Sequence, residues 1–258
     1  MAGYACPRHF RSLWGASSCS VTWEGDDRPP PVRLRLGEAV WILPRMWRLF
    51  GSTRPRGPVD GPPALVIPGF IAHDRATLAL RRALAAEGWR VHGWEMGVNW
   101  GARSDTIDRL RQRLDQVSER DKVLVVGWSL GGLFARELAR AIPERVRAVV
   151  TLGSPFSGDP KQNNVWRLYQ WVARHRVDAP PIRRVTDKPP VPQLALWSRK
   201  DGLIAPRSAR GLEGERDKAV ELDCTHMAFA VSERAARDVV REISRFLDEQ
   251  GLAPESRD

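Results

Sequence analysis

From residue 64 onward, short uninterrupted apolar runs alternate with longer stretches in which apolar side chains recur every three or four positions. "ALVIP" (64–68), "WRVHGW" (89–94), "KVLVVGW" (122–128), "VRAVVTLG" (146–153), "QLALWS" (193–198) and "KAVELD" (218–223) have the length and aliphatic content of strands. Between them, "RATLALRRALAAEG" (75–88) reads as a helix stopped by Gly88. A second helix is predicted near 105–118, with Ile107, Leu110, Leu114 and Val117 on one face, and a third from just after Ser129 to about Ala141. Ser232 can cap a last helix bearing Ala236, Val239, Val240, Ile243 and Leu247. Strands apolar on both faces, separated by amphipathic helices, predict an α/β fold: a mostly parallel sheet covered on both sides.

Two regions depart from this alternation. Residues 155–190 interrupt it with "NNVWRLYQWVARH" (163–175) and a proline-rich passage, which reads as a cap- or lid-like insertion above the sheet. At the other end, residues 1–35 show no sustained period and finish in "DDRPPPVRLR", as expected of a poorly ordered extension. Residues 36–50 place Leu36, Val40, Leu43, Trp47 and Phe50 at helical spacing, with Pro44 ending or kinking the helix. That helix is expected to dock on the core, or else to form a substrate-entrance or membrane-contact element. A proline- and glycine-rich loop (51–63) follows, and 36–258 is read as a single domain.

Charge narrows the partners. The chain of 258 residues carries a formal net charge of +10, almost all from arginines spread through every helical segment. There is no compact basic block and no zinc-finger or RNA-binding signature, so a nucleic-acid partner is not expected. Peripheral contact with an anionic membrane stays open. Three cysteines, an odd count without paired ligand spacing, argue against a disulfide framework or a structural zinc. The apolar character of the first 30 residues is broken by Pro7, Arg8, His9, Arg11 and Gly15, unlike a signal peptide, and no run reaches the roughly 18 apolar residues of a membrane span. A cytoplasmic location is the expectation.

The chemistry centres on Gly127-Trp128-Ser129-Leu130-Gly131. A serine hydroxyl is a weak nucleophile and needs a base, a group to orient the base, and donors for the oxyanion. Here the serine falls between a buried strand and a helix, a turn whose strained backbone presents Oγ, with small glycines allowing close approach. His226 in "LDCTHMAF" follows the last strand and is the candidate base; Asp201, just past the strand 193–198, is the candidate acid, with Asp223 and Asp187 as competitors. The order serine, acid, histidine suits a nucleophile on a strand-to-helix elbow. The oxyanion donors are expected to be the backbone N–H of Leu130 and, from the loop after the first strand, of Phe70, where Gly69 lets the backbone come close.

With these residues in view, the chain resembles α/β-hydrolases of the bacterial triacylglycerol lipase and carboxylesterase type. The resemblance rests on "VIPGF" (66–70), "GWEMGVNWG" (93–101), "VVGWSLGG" (125–132), "VVTLGSPFSG" (149–158), "SRKDGLIAP" (198–206) and "CTHMAFA" (224–230), and spans most of 64–248. It implies the same assignments: Ser129 nucleophile, Asp201 and His226 partners, Phe70 and Leu130 oxyanion donors. Trp128 stands where many lipases have histidine, and Val98 where close relatives often carry a basic residue.

The expected activity is hydrolysis of a small-molecule or lipid ester through an acyl-enzyme, without cofactor or metal. Trp128, Phe156, Trp166, Tyr169, Trp171 and Met227 are candidates for an apolar acyl pocket, although core packing accounts for such residues equally well. Acyl transfer to an acceptor other than water would use the same groups. A noncatalytic, membrane-associated binding protein is the reading from a different class.

Overall fold

The structure, a computed structural model, describes residues 29–38, 57–158 and 185–253. Six strands, β1 (Pro63–Ile67), β2 (Arg90–Gly93), β3 (Val123–Trp128), β4 (Val146–Leu152), β5 (Gln193–Trp197) and β6 (Lys218–Glu221), form one sheet. Their order is β2-β1-β3-β4-β5-β6, and every neighbouring pair is parallel. The strand order reverses beside β1, so the loops leaving β1 and β3 diverge and open a crevice at the carboxyl ends of the strands.

Alternate residues of each strand feed two cores. Ala64, Val66, Leu124, Val126 and Trp128 point to one face, which is covered by α2 (Leu78–Ala86) and the long C-terminal helix α7 (Glu233–Glu249). Leu65, Ile67, Val123 and Val125 point to the other, under α3 (Thr106–Val117) and α4 (Leu130–Ala141). All six residues of β3 are buried, and each fully buried valine or leucine there stabilises the fold by about 2 kcal/mol. The sheet therefore gives the serine at the end of β3 a rigid base.

Within the described residues from 57 onward the sequence-predicted elements are present with ends shifted by up to three residues, and Ser232 does cap α7, accepting from Ala235 N. Two short helices, α5 (Pro206–Arg210) and α6 (Ala228–Val231), leave no mark in the apolar pattern, because five and four residues are too few to display a helical period. The N-terminal reading needs correction. A helix, α1 (Val32–Glu38), begins inside the expected extension, and Leu36, expected on an apolar face, is 72% exposed while Glu38 is buried. Residues 39–50 of the predicted helix, and Trp166, Tyr169 and Trp171 of the predicted insertion, lie outside the described residues. Where the description resumes, Arg136 of α4 donates to the carbonyl oxygens of Thr186 and Asp187 at 2.6 and 2.8 Å, fixing that stretch to the domain.

Candidate active site

Ser129 occupies the junction of β3 and α4 with φ 54° and ψ −121°, a positive-φ conformation that costs a non-glycine residue free energy and is held by its surroundings. Its N–H donates to Leu152 O at 2.8 Å, anchoring the turn to β4. The glycines of the pentapeptide are required by close packing: a Cβ on Gly131 would collide with the Ile67 carbonyl, and one on Gly127 with the backbone of Gly131. The turn therefore has the shape the sequence motif predicts, a sharp elbow lifting the serine above the sheet.

The candidate base and acid, His226 and Asp201, lie on the loops after β6 and β5. His226 Nδ1 lies 2.7 Å from Asp201 Oδ2, and both side chains are almost wholly buried. Asp201 is fixed by its other oxygen, Oδ1, which accepts from Leu203 N at 2.8 Å and Ile204 N at 2.7 Å. Burial disfavours a charged imidazole, but the Asp201 charge and hydrogen bond, with a further contribution from Glu38, outweigh it and hold the His226 pKa above the ordinary histidine value. The competitors for the acid's place are engaged elsewhere. Asp223 pairs with Lys200 at 2.5 Å on the surface, and the Asp187 charge acts on the Arg140 guanidinium of α4.

Gly153 joins the three residues. It follows Leu152, the acceptor for Ser129 N–H, and has φ 52°. A Cβ there would lie 2.9 Å from Asp201 Oδ2 and 3.0 Å from His226 Nδ1. The ends of β3 and β4 thus bring the serine turn and the acid–base pair to the same place.

The loop after β1 approaches from the opposite side. A Cβ on Gly69 would sit 3.1 Å from Ser129 Cβ, so the residue preceding Phe70 is packed on the nucleophile. The loop's curvature is set by Asn99, which is fully buried. Its Nδ2 donates to Pro68 O at 2.9 Å, its N–H donates to Ala72 O at 2.8 Å, and its carbonyl accepts from Ile71 N at 2.8 Å. Ile71 itself has φ 51°. "GVNWG" is therefore a brace for the loop after β1. Asp74 adds a second brace, accepting from Trp94 N and Glu95 N at 2.8 and 2.9 Å. Burial raises its pKa, partly offset by those bonds and by Arg81.

The residues offered as pocket walls fare differently. Trp128 is 2% exposed; its ring lies 5.7 Å from the His226 ring and its Nε1 donates to His226 O at 3.1 Å, so it supports the histidine from below. Phe156 is 1% exposed, with its ring 4.3 Å from the Arg136 guanidinium and close against Gly211, which is core packing. The Met227 side chain joins the core under α7. A cleft of about 400 Å³ lies beside the loop after β1, lined by His73, Asp74, Arg75, Glu95, Gly97 and Val98, a more polar wall than the apolar acyl pocket expected from the sequence.

Sequence reasoning missed Glu38, Asp74 and Asn99. Glu38 accepts from Gly202 N (3.0 Å) and His226 N (2.7 Å) through Oε1 and from Met227 N (2.9 Å) through Oε2. The only signal in the sequence is a carboxylate within an otherwise apolar helical stretch. Among the described residues no group of three or more histidines, cysteines or carboxylates could hold a metal ion, and no helix is long and apolar enough to cross a membrane.

Comparison with known proteins agrees with this geometry. A family model described as the alpha/beta hydrolase fold matches residues 103–180. A stretch of 97 residues is 29% identical to pimeloyl-(acyl-carrier protein) methyl ester esterase of Nitrosomonas europaea, covering 37% of this chain and 38% of that protein. Another, of 110 residues, is 28% identical to homoserine O-acetyltransferase of Thermus thermophilus, covering 42% of this chain and 27% of that one. The matched stretches thus span well under half the length of these relatives. Among solved structures, a bacterial membrane phospholipase A superposes with a TM-score of 0.55 at 16% identity, over 86% of this chain and 93% of that one.

Proposed function

For a chain with the α/β-hydrolase fold, and with a serine elbow facing a buried histidine–carboxylate pair, we propose hydrolysis of carboxylic esters through an acyl-enzyme on Ser129. The observation that carries this reading is the 2.7 Å His226–Asp201 hydrogen bond next to a serine held at positive φ. With Asp201 ionised, His226 carries its proton on Nδ1, and Nε2 keeps the lone pair needed to deprotonate the serine.

In the forward half-reaction, His226 takes the Ser129 hydroxyl proton as Oγ bonds to the acyl carbon, and the carbonyl electron pair moves onto oxygen. The N–H groups of Phe70 and Leu130 would hold that oxyanion; one such donor is worth about 3 kcal/mol in the transition state. Collapse breaks the bond to the alkoxy oxygen, which leaves with the proton from His226. Water then repeats the sequence on the acyl-enzyme, returning the free serine and a carboxylic acid. No cofactor is needed.

The test is hydrolysis of p-nitrophenyl esters from acetate to palmitate, beside Ser129→Ala matched for folding. Activity abolished in the variant supports the proposal, and the chain-length optimum divides esterase from lipase; an inert wild type or an equally active variant sinks it. The match to homoserine O-acetyltransferase favours one alternative, transfer of the same acyl group to an alcohol or thiol acceptor, which an acceptor-product assay detects. Contact with a membrane surface, if the ester is a lipid, would be peripheral.

A further inference from the structure

Three backbone N–H groups on the two catalytic loops converge on one carboxylate that belongs to neither. Gly202 N–H, next to the candidate acid, and His226 N–H, on the candidate base, both donate to Glu38 Oε1, at 3.0 and 2.7 Å. Met227 N–H donates to Oε2 at 2.9 Å. Glu38 ends α1, 164 residues before Gly202 and 188 before His226, and is 7% exposed.

A docking role for α1 alone does not explain this choice. Burying an ionised carboxylate is costly unless its oxygens are fully engaged, and an apolar side chain would attach a helix at lower cost. Yet Leu36, two residues away, stays 72% exposed. The carboxylate also does something no apolar group could do: by sharing Oε1 between Gly202 and His226 it fixes the separation of the acid and base loops. On its other side the His226 peptide is held by Trp128, whose indole donates to the His226 carbonyl at 3.1 Å. Both polar groups of the His226 backbone are therefore anchored, one from the nucleophile's strand and one from α1.

We propose that Glu38 is a positioning residue of the active site, supplied from outside the catalytic loops, which sets the His226–Asp201 geometry through the backbone of Gly202, His226 and Met227. The inference rests on the reading of Ser129, His226 and Asp201 as nucleophile, base and acid. It adds an electrostatic consequence. The charged groups acting on His226 are Asp201 and Glu38, both negative, and the nearby Cys224 thiol is kept neutral by burial and by those same carboxylates. Glu38 therefore favours the imidazolium that forms when the serine loses its proton.

The experiment uses the full chain with Glu38→Gln, nearly isosteric but uncharged, and Glu38→Asp, charged but one methylene short. Glutamine keeps an oxygen for Gly202 and His226 and turns an amide N–H₂ toward Met227 N–H. Three quantities are read: kcat and KM for p-nitrophenyl butyrate across pH, titration of the His226 imidazole by NMR, and circular dichroism. For Glu38→Gln the expected result is kcat about 10- to 100-fold lower at unchanged KM, because a misplaced base loses its approach geometry. The His226 titration and the acid limb of kcat/KM should both move to lower pH. Glu38→Asp should keep the His226 titration near wild type while kcat still falls.

A folded Glu38→Gln with wild-type kcat and an unmoved His226 titration overturns the proposal. So does a loss of kcat in Glu38→Gln that follows only the loss of folded protein, with the His226 titration of its folded fraction unchanged. The NMR titration needs no substrate. If the wild type itself hydrolyses no ester, the functional reading fails while the effect of Glu38 on His226 is still measured.

Discussion

The indole Nε1 of Trp128 donates to the carbonyl oxygen of His226 at 3.1 Å, so the residue immediately before Ser129, the proposed nucleophile, holds the main chain of the proposed base. Ser129 and His226 are thereby coupled through covalent and hydrogen-bonded structure. Replacing the indole by a phenyl ring keeps most of the packing and removes this bond. Trp128→Phe should lower kcat about fivefold, the worth of a hydrogen bond of about 1 kcal/mol, and leave KM unchanged. Steady-state kinetics on a short-chain ester would show it; a change in KM alone would mean that the ring contacts substrate instead.

Asp201 divides its two oxygens between a structural and a chemical task. Asp201→Asn can keep Oδ1 on Leu203 and Ile204 N–H while presenting an N–H₂ to His226 Nδ1. The imidazole is then driven to the tautomer protonated on Nε2, which cannot accept the serine proton. The expected loss is about 10³- to 10⁴-fold in kcat with a thermal midpoint close to wild type. Retention of more than a tenth of the activity would reassign the acid.

Glycines around the elbow separate folding from catalysis. A Cβ on Gly131 would run into the Ile67 main chain, which cannot move without breaking the sheet, so Gly131→Ala should give mostly insoluble protein. A Cβ on Gly69 meets Ser129 Cβ at 3.1 Å and the Trp128 ring at 3.2 Å, a conflict that a small shift of the loop relieves. That shift would withdraw the proposed oxyanion donor, the Phe70 N–H. Gly69→Ala should fold normally and lose roughly 100-fold in kcat. Denaturation midpoints and kinetics measured on the same samples distinguish the two cases.

Two histidines should mark opposite ends of the pH behaviour. His226 acts as a base only when neutral, and its pKa is raised, so kcat/KM should climb with pH through an inflection above about 6.5. The interactions that raise it contribute stability that is full below the unfolded-state pKa and lost as pH rises through the folded one. His92 behaves in the reverse sense. Burial, then the charges of Arg113 and Arg90, push it down to about 4, and its Nε2 is buried without a hydrogen-bond partner among the described residues. Its neutral form is favoured in the fold, so stability should fall as pH drops from about 6.5 toward 4. His92→Gln should flatten that acid loss in urea titrations while leaving the kcat/KM inflection unmoved.

The parts of this molecule that announce themselves in sequence are those built from neighbouring residues. The burial of "VLVVGW" on both faces, the glycines around Ser129 and the cap at Ser232 each act over a few positions, and each is legible in the order of residues alone. Asp201 is legible because its loop follows a strand, yet choosing it over Asp223 requires the pairing of Asp223 with Lys200, which no spacing reveals. Glu38, Asp74 and Asn99 are not legible, since each satisfies main-chain donors or acceptors that lie well outside its own element, and backbone groups leave no trace in composition or periodicity. The apolar spacing from Leu36 misleads for a related reason. Three distant N–H groups need an acceptor, and that demand orients α1 more strongly than the burial of one leucine.

The strand order places the two halves of the chemistry in regions of unequal durability. β3, which ends at the serine, is central and buried along its whole length, whereas β6, which leads to the histidine, is the sheet's half-exposed edge. Edge segments open to solvent at lower free energy than central ones, and amide exchange should record that gradient from β6 to β3. On warming, the molecule should therefore fall silent before it melts: His226 swings out of register while Ser129 is still firmly mounted, and cooling restores the pair without the whole chain having to refold.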